Sequence, residues 1–398
     1  MDRMPDCFLL LSPEEIKSCR LVCRQWDGFI MKEVWGNARG KKKLEAKLVS
    51  RWKTVDPTQV EIGQPMHLYV THFACDDRFA FCGLDNGNVR VYNLDGGDLV
   101  TELAPSRRLR SGHSNTVLAA SDGILASIAW YAVLTVWQIT TISAEPVYNL
   151  HQGHNVMTSL HVVDGSKIAI LIESNSGRLV SPLVITRKDG NTWQNKKFAC
   201  INLEAPLYRN NPFSSDGEWL ALFLRKSAQV TQKVTLWKGD KEGQDIAIPG
   251  PKYDDILSLK FPFLVFLAHP MSTAGSALID VYKVTNEKGE LAPGAALVKS
   301  IDLGPRFLPL TDLIISNKFF LGIMGYASVD RLSLNLLYKK QLLDSSVLPE
   351  ERIERRRLEV SSLETKINTT SLVSLKRGRD EHGRGANFLV VGDFWMTN

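Results

Sequence analysis

Val89-Arg90-Val91-Tyr92-Asn93-Leu94 and Leu134-Thr135-Val136-Trp137-Gln138-Ile139 are two versions of one segment. Each is a short run of apolar, β-branched and aromatic residues, the composition of a strand that packs on its neighbours. Further runs of the same kind follow at Leu179 to Ile185, Val234 to Lys238, Leu278 to Val284, Arg331 to Tyr338 and Phe388 to Met396. Aligned at Tyr92, Trp137, Leu183, Trp237, Tyr282, Leu336 and Trp395, they recur at steps of 45, 46, 54, 45, 54 and 59 residues. From about Val60 onward, Asp-Gly, Asn-Gly and Gly-Asp turns separate the apolar runs, which is strand punctuation.

A period near 45 residues, long enough for four short strands, is that of a β-propeller blade, with the aligned runs as third strands. Seven such runs predict seven blades, with six or eight as the alternatives. The last blade then needs a fourth strand from the start of the repeat region, around Gln59 to Ile62, which removes the ring's open edge. The charged stretch Asp344 to Lys366, with Glu350, Glu351, Arg352, Glu354 and Arg355 to Arg357, reads as a solvated loop or short helix.

The first 52 residues read differently. Ser12-Pro13-Glu14-Glu15 is a helix start: Ser12 caps, Pro13 needs no N–H at the first helical position, and Glu15 completes the capping box. Ile16, Cys19, Val22, Cys23 and Trp26 then form one apolar stripe, and Phe29, Ile30, Val34 and Trp35 continue it beyond Asp27-Gly28. Arg39 to Lys53 is the most basic segment, with Leu44, Leu48 and Trp52 recurring every four residues, as in a linker helix with a solvated face. The expected division is a helical domain over 1–40, a basic linker helix over 41–58 and a propeller over 59–398.

Composition narrows the functional classes. The 398 residues carry 48 basic and 43 acidic side chains, a net charge of +5. That balance is too even to call for nucleic acid or a membrane surface. No apolar run reaches about 18 residues, and no secretory signal is visible, so a cytoplasmic location, with the nucleus as the other choice, is expected. The six cysteines form no CxxC pair, which predicts packed thiols and no metal or other cofactor. No GxSxG, HExxH or Walker-type loop occurs, and the adjacent pairs Asp76-Asp77 and Asp254-Asp255 fall where turns are expected, so no enzyme is predicted.

Gly112-His113 before Thr116 to Gly123, Gly153-His154, and Ser215-Asp216-Gly217-Glu218-Trp219-Leu220-Ala221 resemble the WD-repeat family. In that family a hydrogen-bonded brace involving His, Ser or Thr, and the Asp of a Trp-Asp pair stiffens each blade. Here Gln138 follows Trp137, Lys238 follows Trp237 and Asn93 follows Tyr92. The resemblance therefore implies divergent repeats, held together by hydrophobic packing between blades, with His113 and His154 structural.

Leu11-Ser12-Pro13-Glu14-Glu15-Ile16-Lys17-Ser18-Cys19-Arg20-Leu21-Val22-Cys23-Arg24-Gln25-Trp26, with Val34-Trp35, resembles the F-box family's second and third helices. Only Met1 to Leu10 precede it, fewer residues than the family's first helix. The resemblance implies docking on the Skp adaptor of a cullin-RING ubiquitin ligase, through Leu11, Pro13, Ile16, Cys19, Leu21, Val22, Trp26, Ile30 and Trp35 or a surface they support. The propeller would then hold an unknown target protein. For that role the candidates are Arg107, Arg108 and Arg110, which could clamp an acidic segment, and Trp130 and Tyr131, aromatics in a second-to-third-strand loop. The competing readings are an exposed basic loop for the arginines, which is the favoured one there, and packing between blades for the aromatics. A propeller scaffold outside any ligase is the competing function.

Overall fold

The computed structural model describes Thr58 to Asp393 apart from connections between strands, the longest being 105–115, 203–212, 225–231, 269–277, 303–309 and 339–353. Of residues 1–57 it describes Leu11, Glu15, Cys19, Trp26, Phe29, Ile30 and Val34. Over residues 303–370 the strands are described as backbone alone.

The chain from Thr58 onward is a mainly β propeller-type assembly of antiparallel meanders. A first strand, β1 (Thr58–Met66), stands apart. Unit 1 follows as β2 (Val70–Cys75), β3 (Phe79–Leu84), β4 (Val89–Asn93) and β5 (Leu99–Leu103). Unit 2 is β6 (Thr116–Ser121), β7 (Ile124–Ala129), β8 (Val133–Ile139) and β9 (Ala144–His151). Unit 3 is β10 (Val156–Val162), β11 (Lys167–Glu173), β12 (Leu179–Lys188) and β13 (Thr192–Lys197), with the two-residue β14 (Ile201–Asn202) also on β12.

Unit 4 is β15 (Phe213–Ser215), β16 (Trp219–Leu224), β17 (Gln232–Lys238) and β18 (Gln244–Ile248). Unit 5 is β19 (Tyr253–Lys260), β20 (Phe263–Ala268), β21 (Leu278–Thr285) and β22 (Leu291–Asp302). Unit 6 is β23 (Leu310–Ile315), β24 (Phe320–Ser328), β25 (Arg331–Tyr338) and β26 (Glu354–Leu358). The last unit has β27 (Glu364–Ile367), β28 (Ser371–Arg379) and β29 (Gly385–Asp393) from the C-terminal part, and β1 as its fourth strand.

The register of that closure is Gln59↔Gly392 through Ile62↔Leu389, so the residues expected to close the ring lie in β1. First strands adjoin in sequence, β2 with β6, β6 with β10, β10 with β15, and so on to β27, which adjoins β2 again. The unpaired edge of an open row of sheets is thereby removed.

Burial follows period two, but both faces of the inner strands are apolar. In β7, Ile124, Ala126 and Ile128 face unit 3, whereas Leu125 packs on unit 1. Five of the seven aligned third-strand residues sit in the cores between successive units; Trp395 and the Leu336 side chain lie outside the described residues. Tyr92 joins units 7 and 1, Trp137 units 1 and 2, Leu183 units 2 and 3, Trp237 units 3 and 4, and Tyr282 units 4 and 5. Burying one such side chain stabilises the chain by about 1.5–3 kcal/mol or more, which explains why a large residue recurs there.

Two expectations are corrected. The charged stretch Asp344 to Lys366 is no simple loop or helix: it contains β26 and β27, paired as Leu336↔Glu354 and Glu364↔Leu375. A fourth strand lies on the solvent rim, where charges are tolerated, so a strand there resembles a loop in sequence. Asp254-Asp255 lies inside β19, beside a register shift, and not in a turn. Within unit 2, Trp137 Nε1 donates to Ser127 Oγ at 3.3 Å, and Ser127 Oγ donates to Thr135 O at 3.4 Å.

Units 4 and 5 share a feature that no periodicity predicted. Their outer strands pair in parallel at Ala247↔Gly294, making one eight-stranded sheet. The Tyr282 hydroxyl adds a hydrogen bond to Pro249 O across the same seam.

Candidate interaction surface

Strand direction divides the assembly into two ends. First-to-second and third-to-fourth turns lie at one, the hairpin end. Second-to-third turns and the connections between units lie at the other, the link end. Thr58 and Asp393 pair with each other at the hairpin end, so the N-terminal region joins the assembly there.

Arg107, Arg108, Arg110, Trp130 and Tyr131 lie outside the described residues. The strand ends beside them are placed: Thr116 pairs with Ala129, Ala129 with Val133, and Val133 with His151. Both candidate segments therefore start from neighbouring strand ends at the link end of unit 2. His113 and His154 are also outside the described residues, as are Pro13, Ile16, Leu21, Val22 and Trp35.

Among the N-terminal positions that are described, Glu15, Cys19, Trp26 and Phe29 are helical. Ile30 and Val34 are fully buried, and Leu11, Cys19, Trp26 and Phe29 pack against them. Ile30 thus supports a surface from within and does not itself present one. The described members of the apolar stripe, Cys19, Trp26, Phe29, Ile30 and Val34, gather into a small core.

The best-defined surface at the link end is the seam where unit 7 meets unit 1, and its central residue was not singled out from the sequence. Three residues, His67 to Tyr69, connect β1 to β2, and hydrogen bonds pin their backbone. Asn387 Nδ2 donates to Leu68 O at 3.1 Å, and Asp85 N–H donates to Tyr69 O at 2.9 Å. His67 Nδ1 approaches Gly385 O at 3.5 Å, with the ring N–H as donor. The Tyr69 side chain is held outward on this fixed backbone, 55% exposed.

Beside it stands the β28–β29 hairpin, Asp380 to Arg384. Asp380 Oδ1 accepts the His382 and Arg384 N–H groups at 2.9 and 2.7 Å, while Oδ2 accepts Arg384 Nε at 2.9 Å. Gly383 takes a φ of +76°, which closes this turn without strain. His67 Nε2 lies 3.6 Å from Asp380 Oδ2. Burial pushes the Asp380 carboxyl up, but the N–H groups and charge of Arg384, with the N–H of His382, outweigh it and hold it below the usual range. His67 thus joins this ordered polar turn to the connection that carries the exposed Tyr69. An exposed aromatic on a fixed backbone is the kind of group that protein recognition uses as an anchor.

At the hairpin end the chemistry is structural. Asp76 is buried in the β2–β3 turn, where Oδ1 accepts the Arg78 and Phe79 N–H groups, each at 2.8 Å. Its Oδ2 reaches the neighbouring unit and accepts the Gly123 N–H at 2.9 Å. Gly123 belongs to the β6–β7 turn, where Asp122 and Gly123 have φ of 52° and 76°. Burial, the largest influence, raises the Asp76 carboxyl to about 6, against the lowering effect of its three N–H donors, with Asp77 adding a small upward push. This carboxylate ties two units together. It was set aside in the sequence as one of an adjacent pair, because its partner is 47 residues away.

Among the described residues, no group of three or more His, Cys, Asp or Glu side chains could hold a metal ion. No helix among them is long and apolar enough to cross a membrane.

No family model and no curated protein matches the sequence. Solved structures resemble it in shape. The β-propeller domain of Myceliophthora thermophila Cps50 (Swd1) covers 83% of this chain and 99% of its own, at 11% identity and a TM-score of 0.45. The WD40 repeats of RRP9 cover 84% and 99%, at 10% identity and 0.49. The WD40 domain of SCAP from fission yeast covers 85% and 88%, at 9% identity and 0.49. Strand pairing and register within the chain, independently of these likenesses, define its architecture.

Proposed function

We propose that this chain is the target-binding subunit of a Skp–cullin–F-box ubiquitin ligase. In this reading the meanders are the seven blades of a WD-type ring, and the helical N-terminal segment is F-box-like. The observation that carries the reading is the Arg20-Leu21-Val22-Cys23-Arg24-Gln25-Trp26 motif, together with the packing of Cys19, Trp26 and Phe29 on buried Ile30 and Val34. A helical segment with its own small core is what an adaptor-docking module needs.

The two ends of the ring suit the two tasks. The N-terminal region joins at the hairpin end, and Tyr69 lies at the link end, so adaptor and target would occupy opposite sides. The chain performs no chemistry in this role. It raises the effective concentration of a target lysine near a charged conjugating enzyme. Co-purification of the full chain with the Skp adaptor tests the reading: stoichiometric capture, lost on Trp26→Ala, supports it. A folded full chain that captures no adaptor ends it, and leaves a propeller scaffold outside the ligase.

A further inference from the structure

The rim strands of unit 3 differ in charge from those of every other unit. β12 and β13 carry Arg187, Lys188, Lys196 and Lys197 with no acid. In each other unit the third and fourth strands include at least one: Glu102, Glu145, Asp245, Asp280 with Asp302, Glu354, and Glu61 with Asp393. Lysines on an outer strand also discourage pairing with other chains, so the charge alone does not make a site. A buried side chain beside them has no such explanation.

Trp193, in β13, is more than nine-tenths buried, and its Nε1–H has no hydrogen-bond acceptor. A buried donor without an acceptor costs free energy, and few persist in folded chains. Trp193 packs in the core between units 2 and 3, with Arg187 Cζ 5.9 Å from its ring centroid. Asn195 and Lys197 follow on the same face of β13, because side chains alternate along a strand. Asn195 Nδ2 donates to the hydroxyl of Tyr148, in β9, at 2.8 Å, which sets this face against the rim of unit 2. β9 and β13 belong to separate sheets. Three donors along their seam have no acceptor among the described residues: Trp193 Nε1, the Tyr148 hydroxyl proton and the Lys197 ammonium. Glu145, the acid of β9, stands at the other end of the seam, opposite Gln138, whose Oε1 accepts Arg187 Nη2 at 3.1 Å.

We propose that this seam binds an acidic peptide segment of a partner protein, whose carboxylates accept from Lys197, Tyr148 and Trp193. Trp193, Asn195 and Lys197 succeed one another at intervals of about 6.8 Å, two residues of strand. An extended peptide sets its own same-side side chains at that interval, so alternate acids meet successive donors. No Trp, Tyr or Phe is exposed on β9 or β13 for a nucleobase to stack on or a bilayer to take up, which favours a peptide over both. The seam lies on the rim of units 2 and 3, apart from Tyr69, and is independent of the ligase reading.

Fluorescence anisotropy of the full chain with a fluorescein-labelled oligoglutamate tests this, with oligoglutamine of equal length beside it. Saturable binding of the glutamate probe alone is expected, weakened about tenfold by Lys197→Glu and about fivefold by Tyr148→Phe. Lys288→Glu, the same charge change on the exposed turn between β21 and β22, should leave binding unchanged. In NMR spectra the Trp193 indole N–H signal, assigned by its loss in Trp193→Phe, should move as the probe is added. A chain that binds no oligoglutamate overturns the proposal. So does equal weakening by Lys288→Glu, or an indole signal that stays in place. Tighter binding of an oligouridylate of equal length, or of phosphatidylserine vesicles, overturns it as well and assigns the face to nucleic acid or membrane.

Discussion

Replacing Asp76 by asparagine changes almost no volume but removes one acceptor and the charge together. Its folded carboxyl titrates near 6, against a usual value of 3.8. The folded chain therefore holds a proton between those values that the unfolded chain has released. The stabilisation is complete below about pH 4, declines as pH rises and is gone above about pH 6. With 1.36 kcal/mol per pKa unit, the full excursion is at most about 3 kcal/mol. Asparagine has no such titration. Its single oxygen can keep the Arg78 and Phe79 N–H groups, but its amide nitrogen then faces the Gly123 N–H and leaves it unsatisfied. That defect costs about 1–3 kcal/mol at every pH. At pH 4.5 the variant is thus expected to be less stable than the parent by about 2–5 kcal/mol, shrinking by about 2–3 kcal/mol on reaching pH 7.5. Urea unfolding of both proteins at half-unit steps from pH 4.5 to 7.5 measures the difference, in which every other carboxylate cancels. A difference that is flat with pH would refute the raised carboxyl, and one near zero throughout would refute the tie between units.

Other substitutions probe other joints. Gly63 lies in β1 with φ +71°, and an added Cβ would stand 2.5 Å from Tyr92 Cε1. Gly63→Ala combines backbone strain with overpacking and should cost about 2–4 kcal/mol, seen as a lower thermal midpoint and faster amide exchange in β1. Trp137→Phe removes the bond to Ser127 and part of the fill between units 1 and 2. A loss of about 1–3 kcal/mol is expected in denaturant, and Trp137→Ala should lose about 3–5 kcal/mol. Tyr69→Ala should leave stability within about 0.5 kcal/mol while reducing capture of target proteins in quantitative pull-downs; undiminished capture would move the binding surface elsewhere.

The strands were legible because their cores repeat. Third-strand runs at Tyr92, Trp137, Leu183, Trp237 and Tyr282 announce themselves by composition, since each must fill the space between two units. The closing strand was legible as well, because a last unit lacking a fourth strand can be completed only from the beginning of the repeat. The rim was less readable. Glu354 to Leu358 forms a strand whose charges look like those of a loop, because only its partner β25, and not its own composition, enforces pairing. The residues chosen for target binding fall outside the described residues, and Tyr69, one residue in a short connection, carried no pattern that would single it out.

The sequence by itself determined the strand period, the onset of strand character at about Val60, and where the ring must close. These depend on local propensity and on apolar spacing, which are properties of short windows. The tertiary structure alone decided which distant residues meet. Asp76 holds Gly123 because two turns from adjacent units stack, Gly294 meets Ala247 because two rims converge, and Tyr69 points outward because Asn387 and Asp85 hold the backbone beneath it. Each contact joins parts of the chain with no shared pattern, and exists only once the ring has brought them together.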